Sequence, residues 1–472
     1  MKLLFSYFLK WGLLLIWLGL LMGVVITYSS VSFHVVDWLL FSLIVLFFLV
    51  QSWFPVFRSD DTLLTPKNLM LFVFLNKLVL IPLELLIWGN QVQKFEWKRT
   101  NLIEEVAVTT FAFLAFTVGW KLNGLNKYNR SMKTENYEPI RWLAYIFLLI
   151  GIFSILVRYG SIQGYLTGSF LKETIAQFNE NNAGSIIGLI GSMTSRFLPF
   201  SSILFWILAD QKRDKIGGPY WRQNILFIVL CVLCSLSSNR ANIIYPLLSL
   251  LSIMFSYFKV YNKVPVIVMG IPAIVLLFFF GLVRSLREFS LDEIPKLLKL
   301  FADNFGYVPS AHQIYFGTPY QITPLIYTDY QLQGNTLLSS ILFSIPLVGK
   351  NFRLTSGVSM YNQAIYSSSI SSDQVIPVAG EFYYNFGLVG VVLSHLLIGY
   401  FYCKIDKLFK QSLLYSKAIA VAWFYIAIHY NAAIFLSISV LIQFLVYSCL
   451  PAIILLIICK YQVEEMKLEF ES

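Results

Sequence analysis

Arginine is the residue type whose placement in this sequence points most directly to chemistry. Arg196 interrupts the apolar run GSIIGLIGSMTSRFLPFSSILFWIL near its middle, and Arg240 stands in SSNRAN between two further runs. Arg284 and Arg287 (LVRSLREF) follow another run at a spacing that shares one helical face. Arg353 comes later, in GKNFRLTSG. The guanidinium fork binds phosphate oxygens bidentately and stays charged when partly buried. An ionisable group at membrane depth is expensive and by default marks a functional site. Together these residues suit a phosphate-bearing ligand. Plainer readings exist: Arg284 and Arg287 as snorkelling anchors to lipid headgroups, or Arg196 as a lock paired with Glu84 of another span. Those account less well for Arg196 and Arg240. Lys77 and Glu84 share a helical face but lie beyond i,i+4 reach, and are read as structural.

A second feature is aromatic. Tyr307, Tyr315, Tyr320, Tyr327, Tyr330, Tyr361 and Tyr366 are scattered among Asn, Gln, Ser and Thr in a long, nearly charge-balanced stretch. Rings beside paired donors and acceptors suit sugars, and an ordinary folded cap with an aromatic belt has the same composition. No G-x-x-x-x-G-K-[ST] and no D-x-D occurs, which argues against an ATPase and a cytoplasmic nucleotide-sugar transferase. His34, His312, His395 and His429 lack metal-ligand spacing, and the C-x-x-C of Cys231 and Cys234 has no second pair. No metal or cofactor is therefore expected, and any catalysis would rest on arginine electrostatics. The paired unwound helices and buried acidic relays of a secondary transporter are not evident.

The elements that must position these residues follow from composition. Of 472 residues 57% are hydrophobic and only 13% charged, with a mean hydropathy of +0.70. A soluble chain of this size needs more polar surface, so the sequence reads as an all-α integral membrane protein. The net charge of +10 is a topology signal rather than a nucleic-acid one. Twelve apolar runs are long enough to span: 9–28, 33–54, 68–89, 102–121, 142–158, 185–208, 223–238, 242–258, 264–283, 384–403, 416–434 and 437–459. The organisation is nine helices over 1–283, a long external loop over 284–383, and three helices with a cytoplasmic tail over 384–472. With both termini cytoplasmic, 21 basic residues fall inside and 6 in the short external loops. The stretch 159–184 has the length of an interfacial helix. Thr336–Val348 is too short to span and fits an interfacial or re-entrant helix, or a helix buried in a small external cap.

The order of features resembles the Wzy family of O-antigen and oligosaccharide repeat unit polymerases, including the enterobacterial common antigen branch. The likeness is carried by TSRFLPF, SSNRANIIYPLLSLL, LVRSLREF at a helix exit, FRLTSGVSMYNQAIY in the long loop, and GEFYYNFGLVGVVLSHLLIGYF at the return to the membrane. It covers about residues 185–410. The resemblance implies a glycosyltransferase of the GT-C type in the bacterial inner membrane. Such an enzyme moves a growing glycan from undecaprenyl diphosphate onto the terminal sugar of an incoming carrier-linked repeat unit at the outer face. A flippase and a chain-length regulator are its expected partners. It implies Arg196, Arg240, Arg284 and Arg353, with Arg287 on the same face as Arg284, as diphosphate ligands stabilising the leaving group. Tyr315, Tyr320 and Tyr361 would meet glycan. Glu381 would deprotonate the acceptor hydroxyl, with His312 as its competitor. The last external turn, IHYNAAIFLS, lacks an arginine that relatives carry, and His429 stands there instead. An O-antigen ligase with the same donor, or a lipid-linked oligosaccharide flippase, are the alternatives.

Overall fold

The structure is a computed structural model that describes residues 44, 64–88, 99–124, 138–159, 190, 191, 194, 196–216, 241–257, 295, 323, 334–345, 352, 355–366 and 376–459. Among these the regular structure is helical, with no strand. Pro66–Leu75 (α1) begins where Thr65 accepts from the Asn68 N–H at 3.2 Å and a proline fills the first helical position. A π-turn over Asn76–Leu80 joins it to Ile81–Trp88 (α2). Arg99–Gly124 (α3), Glu138–Tyr159 (α4), Phe197–Ile216 (α5) and Ala241–Tyr257 (α6) follow. Asn335–Phe343 (α7) and Gly357–Tyr366 (α8) are short. Val378–Ser412 (α9) is the longest helix, and Lys417–Leu436 (α10) and Ile438–Gln443 (α11) follow it. A π-turn over Phe444–Ser448 leads into Leu450–Cys459 (α12).

Among the described residues four helices are long and apolar enough to cross a membrane, and a pair bent by 51° (Ile438–Ser448 with Leu450–Cys459) brings the number to five. The runs 9–28, 223–238 and 264–283 lie outside the described residues, as do most of 33–54, most of the first half of 185–208 and all but the first residue of 159–184, the stretch expected to be interfacial. The long helices also carry exposed apolar stripes. On α4, Trp142, Tyr145, Ile146, Leu149, Phe153 and Leu156 recur every three or four residues and stay uncovered. The stripe is about 20 Å long, a face too large for water to tolerate cheaply.

The contacts fix relative directions. Phe147 packs on Phe197 and Phe200, and Tyr145 on Phe205, so α4 and α5 run antiparallel. Phe200 meets Tyr425 while Asp210 pairs with Lys417, making α10 antiparallel to α5. Phe74 meets Phe113 and Phe116, and Tyr402 donates to the Pro66 carbonyl at 2.8 Å. Helices α3 and α9 run parallel: their apolar cluster holds Val108, Ala112 and Val391, and further along Asn123 donates to the Tyr400 carbonyl. Gly119 and Gly399 allow this approach, because a Cβ on either would strike the carbonyl of Leu396 or Phe116. One end of the bundle is polar. There Lys417 pairs with Asp210 at 2.8 Å, Lys410 with Asp406 at 3.1 Å, and Lys407 donates to the Asn123 carbonyl.

Helix α9 starts before the expected span 384–403 and runs beyond it. Gly387, with φ +61° and ψ −157°, divides it, a conformation open to glycine and costly for other residues. Residues 378–386 form an arm, and the span proper follows.

Candidate functional site

The arm of α9 carries Glu381 into the end of the bundle opposite the lysines. Helices α7 and α8 pack there, beside the break between α10 and α11. Ser437 is extended and caps α11 by accepting from the Val440 N–H at 3.2 Å. The break frees the Ile438 N–H, which donates to Glu381 Oε2 at 3.3 Å. Ser340 of α7 donates to Oε1 of the same carboxylate, and the Gly357 N–H at the start of α8 donates to Ser340 Oγ at 3.0 Å. The chain Gly357, Ser340, Glu381 is thus polarised in one direction. Asn385, one turn on, donates to the Glu381 carbonyl at 2.8 Å and accepts from Thr336 at 2.9 Å. Ser344 donates to the Ser439 carbonyl at 3.1 Å. Glu381 is fully buried. One carboxylate therefore ties together α7, α8, α9 and α11.

Helix α7 is inverted relative to a helix on a water-soluble core. Ser340 and Ser344 point inward and are buried, while Leu338, Ile341 and Ile345 are exposed. Its outer face is apolar and its inner face is lined by hydroxyls. Tyr361 of α8 is buried at 1% exposure, with its hydroxyl 3.3 Å from that of Thr323. Its ring is packed against protein and offers no open face for stacking on a sugar.

Arg196 lies in the turn before α5, partly exposed, fourteen residues from Asp210 and hence about 20 Å along the helix from the polar end. Its charge acts on Tyr245 of α6, His429 of α10 and Cys449 before α12. Arg196 and Glu381 occupy separate levels: His429 is eight residues before Ser437, about 12 Å below the break that Glu381 caps. His429 also differs from its expected place at an external turn. It lies inside α10, because the helix continues through Asn431 and breaks only at Ser437. Arg240, Arg284, Arg287, Arg353, His312, Tyr315 and Tyr320 lie outside the described residues.

Lys77, read from the sequence as structural, acts electrostatically on two further buried titratable side chains, Glu105 and His395, the first of which the sequence reading did not single out. Lys77 in the π-turn is buried beside Glu105 of α3, and its charge acts on His395 of α9. Glu105 is 1% exposed. The signal was present, since Glu105 falls within the run 102–121 and His395 within 384–403. Among the described residues no three or more His, Cys, Asp or Glu side chains group as a metal site would require.

The fold and site define an α-helical protein with apolar helices of membrane-spanning length and polar side chains buried between them. Comparison with protein-family models, with curated proteins and with solved structures gives no match.

Proposed function

We propose that this protein is a glycan polymerase of the bacterial inner membrane. It transfers an undecaprenyl-diphosphate-linked glycan onto the terminal sugar of a carrier-linked repeat unit at the outer face, without a metal. The observation that carries the reading is Arg196: a partly exposed cation in the turn before an apolar helix, on the half of the bundle away from the lysines and below the level of Glu381. A lipid diphosphate leaving group requires fixed positive charge at the boundary between hydrocarbon and water. The lipid-facing α7 supports the reading, as a lid over that half with its hydroxyls turned inward. So does the parallel packing of α3 and α9, which fits an odd number of crossings between them and the same sidedness for Lys121 and Lys407.

A specific observation favours transport as the second reading. Lys77, Glu105 and His395 form a buried group of the kind that carries coupling ions or protons through a bundle. Deleting the gene from its native host separates the alternatives. A polymerase leaves single repeat units on the cell surface and no long chains. A ligase leaves long chains on the carrier lipid, unattached, and a flippase leaves carrier-linked units on the cytoplasmic leaflet. Surface polysaccharide of normal length and attachment would overturn all three.

A further inference from the structure

Two glycines flank the Glu381 cluster and are joined by a ring. Gly334 (φ +67°) precedes α7 and Gly387 (φ +61°) ends the arm, and they are the two positive-φ glycines among the described residues. A Cβ on Gly334 would lie 3.0 Å from the ring of Phe386, the neighbour of Gly387. Such positions absorb backbone rotation at little steric cost, and two side by side define one axis.

The hydrogen bonds divide along that axis. Within the unit of α7, α8 and the arm, the Gly357 N–H donates to Ser340 at 3.0 Å, Thr336 to Asn385 at 2.9 Å, and Ser340 to Glu381. None of these is stretched; the Leu337 N–H adds a long second bond to Asn385 at 3.4 Å. Among the described residues three bonds join the unit to α11 and the π-turn behind it. The Ile438 N–H donates to Glu381 at 3.3 Å, Ser344 to the Ser439 carbonyl at 3.1 Å, and Tyr447 to the Ser344 carbonyl at 3.4 Å. All three exceed the usual length for their donor type. Apolar contacts of Tyr361 and Ala379 with Val108, Ala112 and Val391 add to them, and these have no fixed direction and can slide.

We infer that α7, α8 and the arm form a hinged cover, which turns as one body about Gly334 and Gly387 and is latched to the bundle by the bonds of Ile438, Ser344 and Tyr447. On opening, Glu381 keeps its Ser340 donor and gives up the Ile438 amide. The face uncovered holds a carboxylate oxygen and the Ser439 carbonyl as acceptors and the Ile438 N–H as a donor. Neighbouring sugar hydroxyls, which each donate and accept, match that set. Entry of a sugar rests on the polymerase reading; the hinge itself does not.

The test uses the full-length protein, freed of its five cysteines, in nanodiscs of phosphatidylcholine. Spin labels go on two pairs of exposed positions, and electron–electron resonance reads their separations. Leu338→Cys with Leu414→Cys spans cover and bundle, and Leu338→Cys with Gln363→Cys lies within the cover. The expected result is two separations for the first pair and one for the second. Ser344→Ala with Tyr447→Phe removes two latch bonds and should raise the ratio of open to closed about tenfold. The second pair should not change, which also shows that the variant is folded; Tyr447→Phe alone serves if the double variant does not fold. Short-chain polyprenyl-diphosphate N-acetylglucosamine should raise the open share, because only the open form offers it partners. A single, unmoved separation across the first pair in the latch variants overturns the hinge and leaves the polymerase reading to the gene deletion. A change in the second pair overturns the single body. A latch response with no glycolipid response keeps the hinge and overturns its assignment to sugar entry.

Discussion

Ser340 is the small residue on which the Glu381 cluster turns. Its hydroxyl accepts from Gly357 and donates to Glu381, so replacing it with alanine strands an amide and a carboxylate oxygen in a buried place. Ser340→Ala should cost about 1–3 kcal/mol, the scale of an unmade buried hydrogen bond. Ser339→Ala removes a hydroxyl whose one contact among the described residues is with exposed Thr355, and should change little. Thermal denaturation of the two purified variants in one detergent checks the difference, and equal midpoints would remove Ser340 from the network. The part played by Glu381 was only half legible beforehand. GEFYYNFG marks a return to the membrane, and a carboxylate there draws notice. Its partners lie 41 and 57 residues away in sequence, and no local pattern announces such pairings. A side chain this enclosed acts first as a positioning group, and an acceptor sugar would have to displace Ser340 or the Ile438 amide to reach it.

At the scale of helices, the runs of about twenty apolar residues were readable because lipid dictates their length. Their ends were not. Helix α9 continues past residue 403 because Lys404, Lys407 and Lys410 lie on an amphipathic extension that buries Asp406 and Phe409, and helical hydrogen bonding is indifferent to where hydropathy falls. The break at Ser437 was equally hidden, since SISVLIQF is as apolar as a continuing helix. The packing of α3 on α9 depends on two absent side chains. Gly399→Leu should therefore force the helices apart and sharply lower the yield of folded protein, whereas Leu397→Ala on the lipid-facing side should not. Fluorescence-detected size exclusion of tagged variants reads this directly. A monodisperse Gly399→Leu protein at normal level would refute the close approach.

For the molecule as a whole, the two ends of the bundle should face different compartments. In a chain freed of its five cysteines, Gln363→Cys on α8 should react with an impermeant thiol reagent added outside the cell. Leu414→Cys at the lysine-bearing end should react only after permeabilisation. The opposite pattern would invert the orientation and move Arg196 away from the outer face. The contact between Asn123 and Tyr400 has a further consequence, in time rather than space. The two residues are 277 positions apart, and at about 5–20 residues per second a ribosome needs roughly 15–55 s to travel from one to the other. For that interval α3 exists without α9, its glycine face bare and its Asn123 side chain without the carbonyl it later holds. Folding of this protein thus includes a waiting period, in which α3 lacks the helix that its glycine face is shaped to meet until α9 has been made.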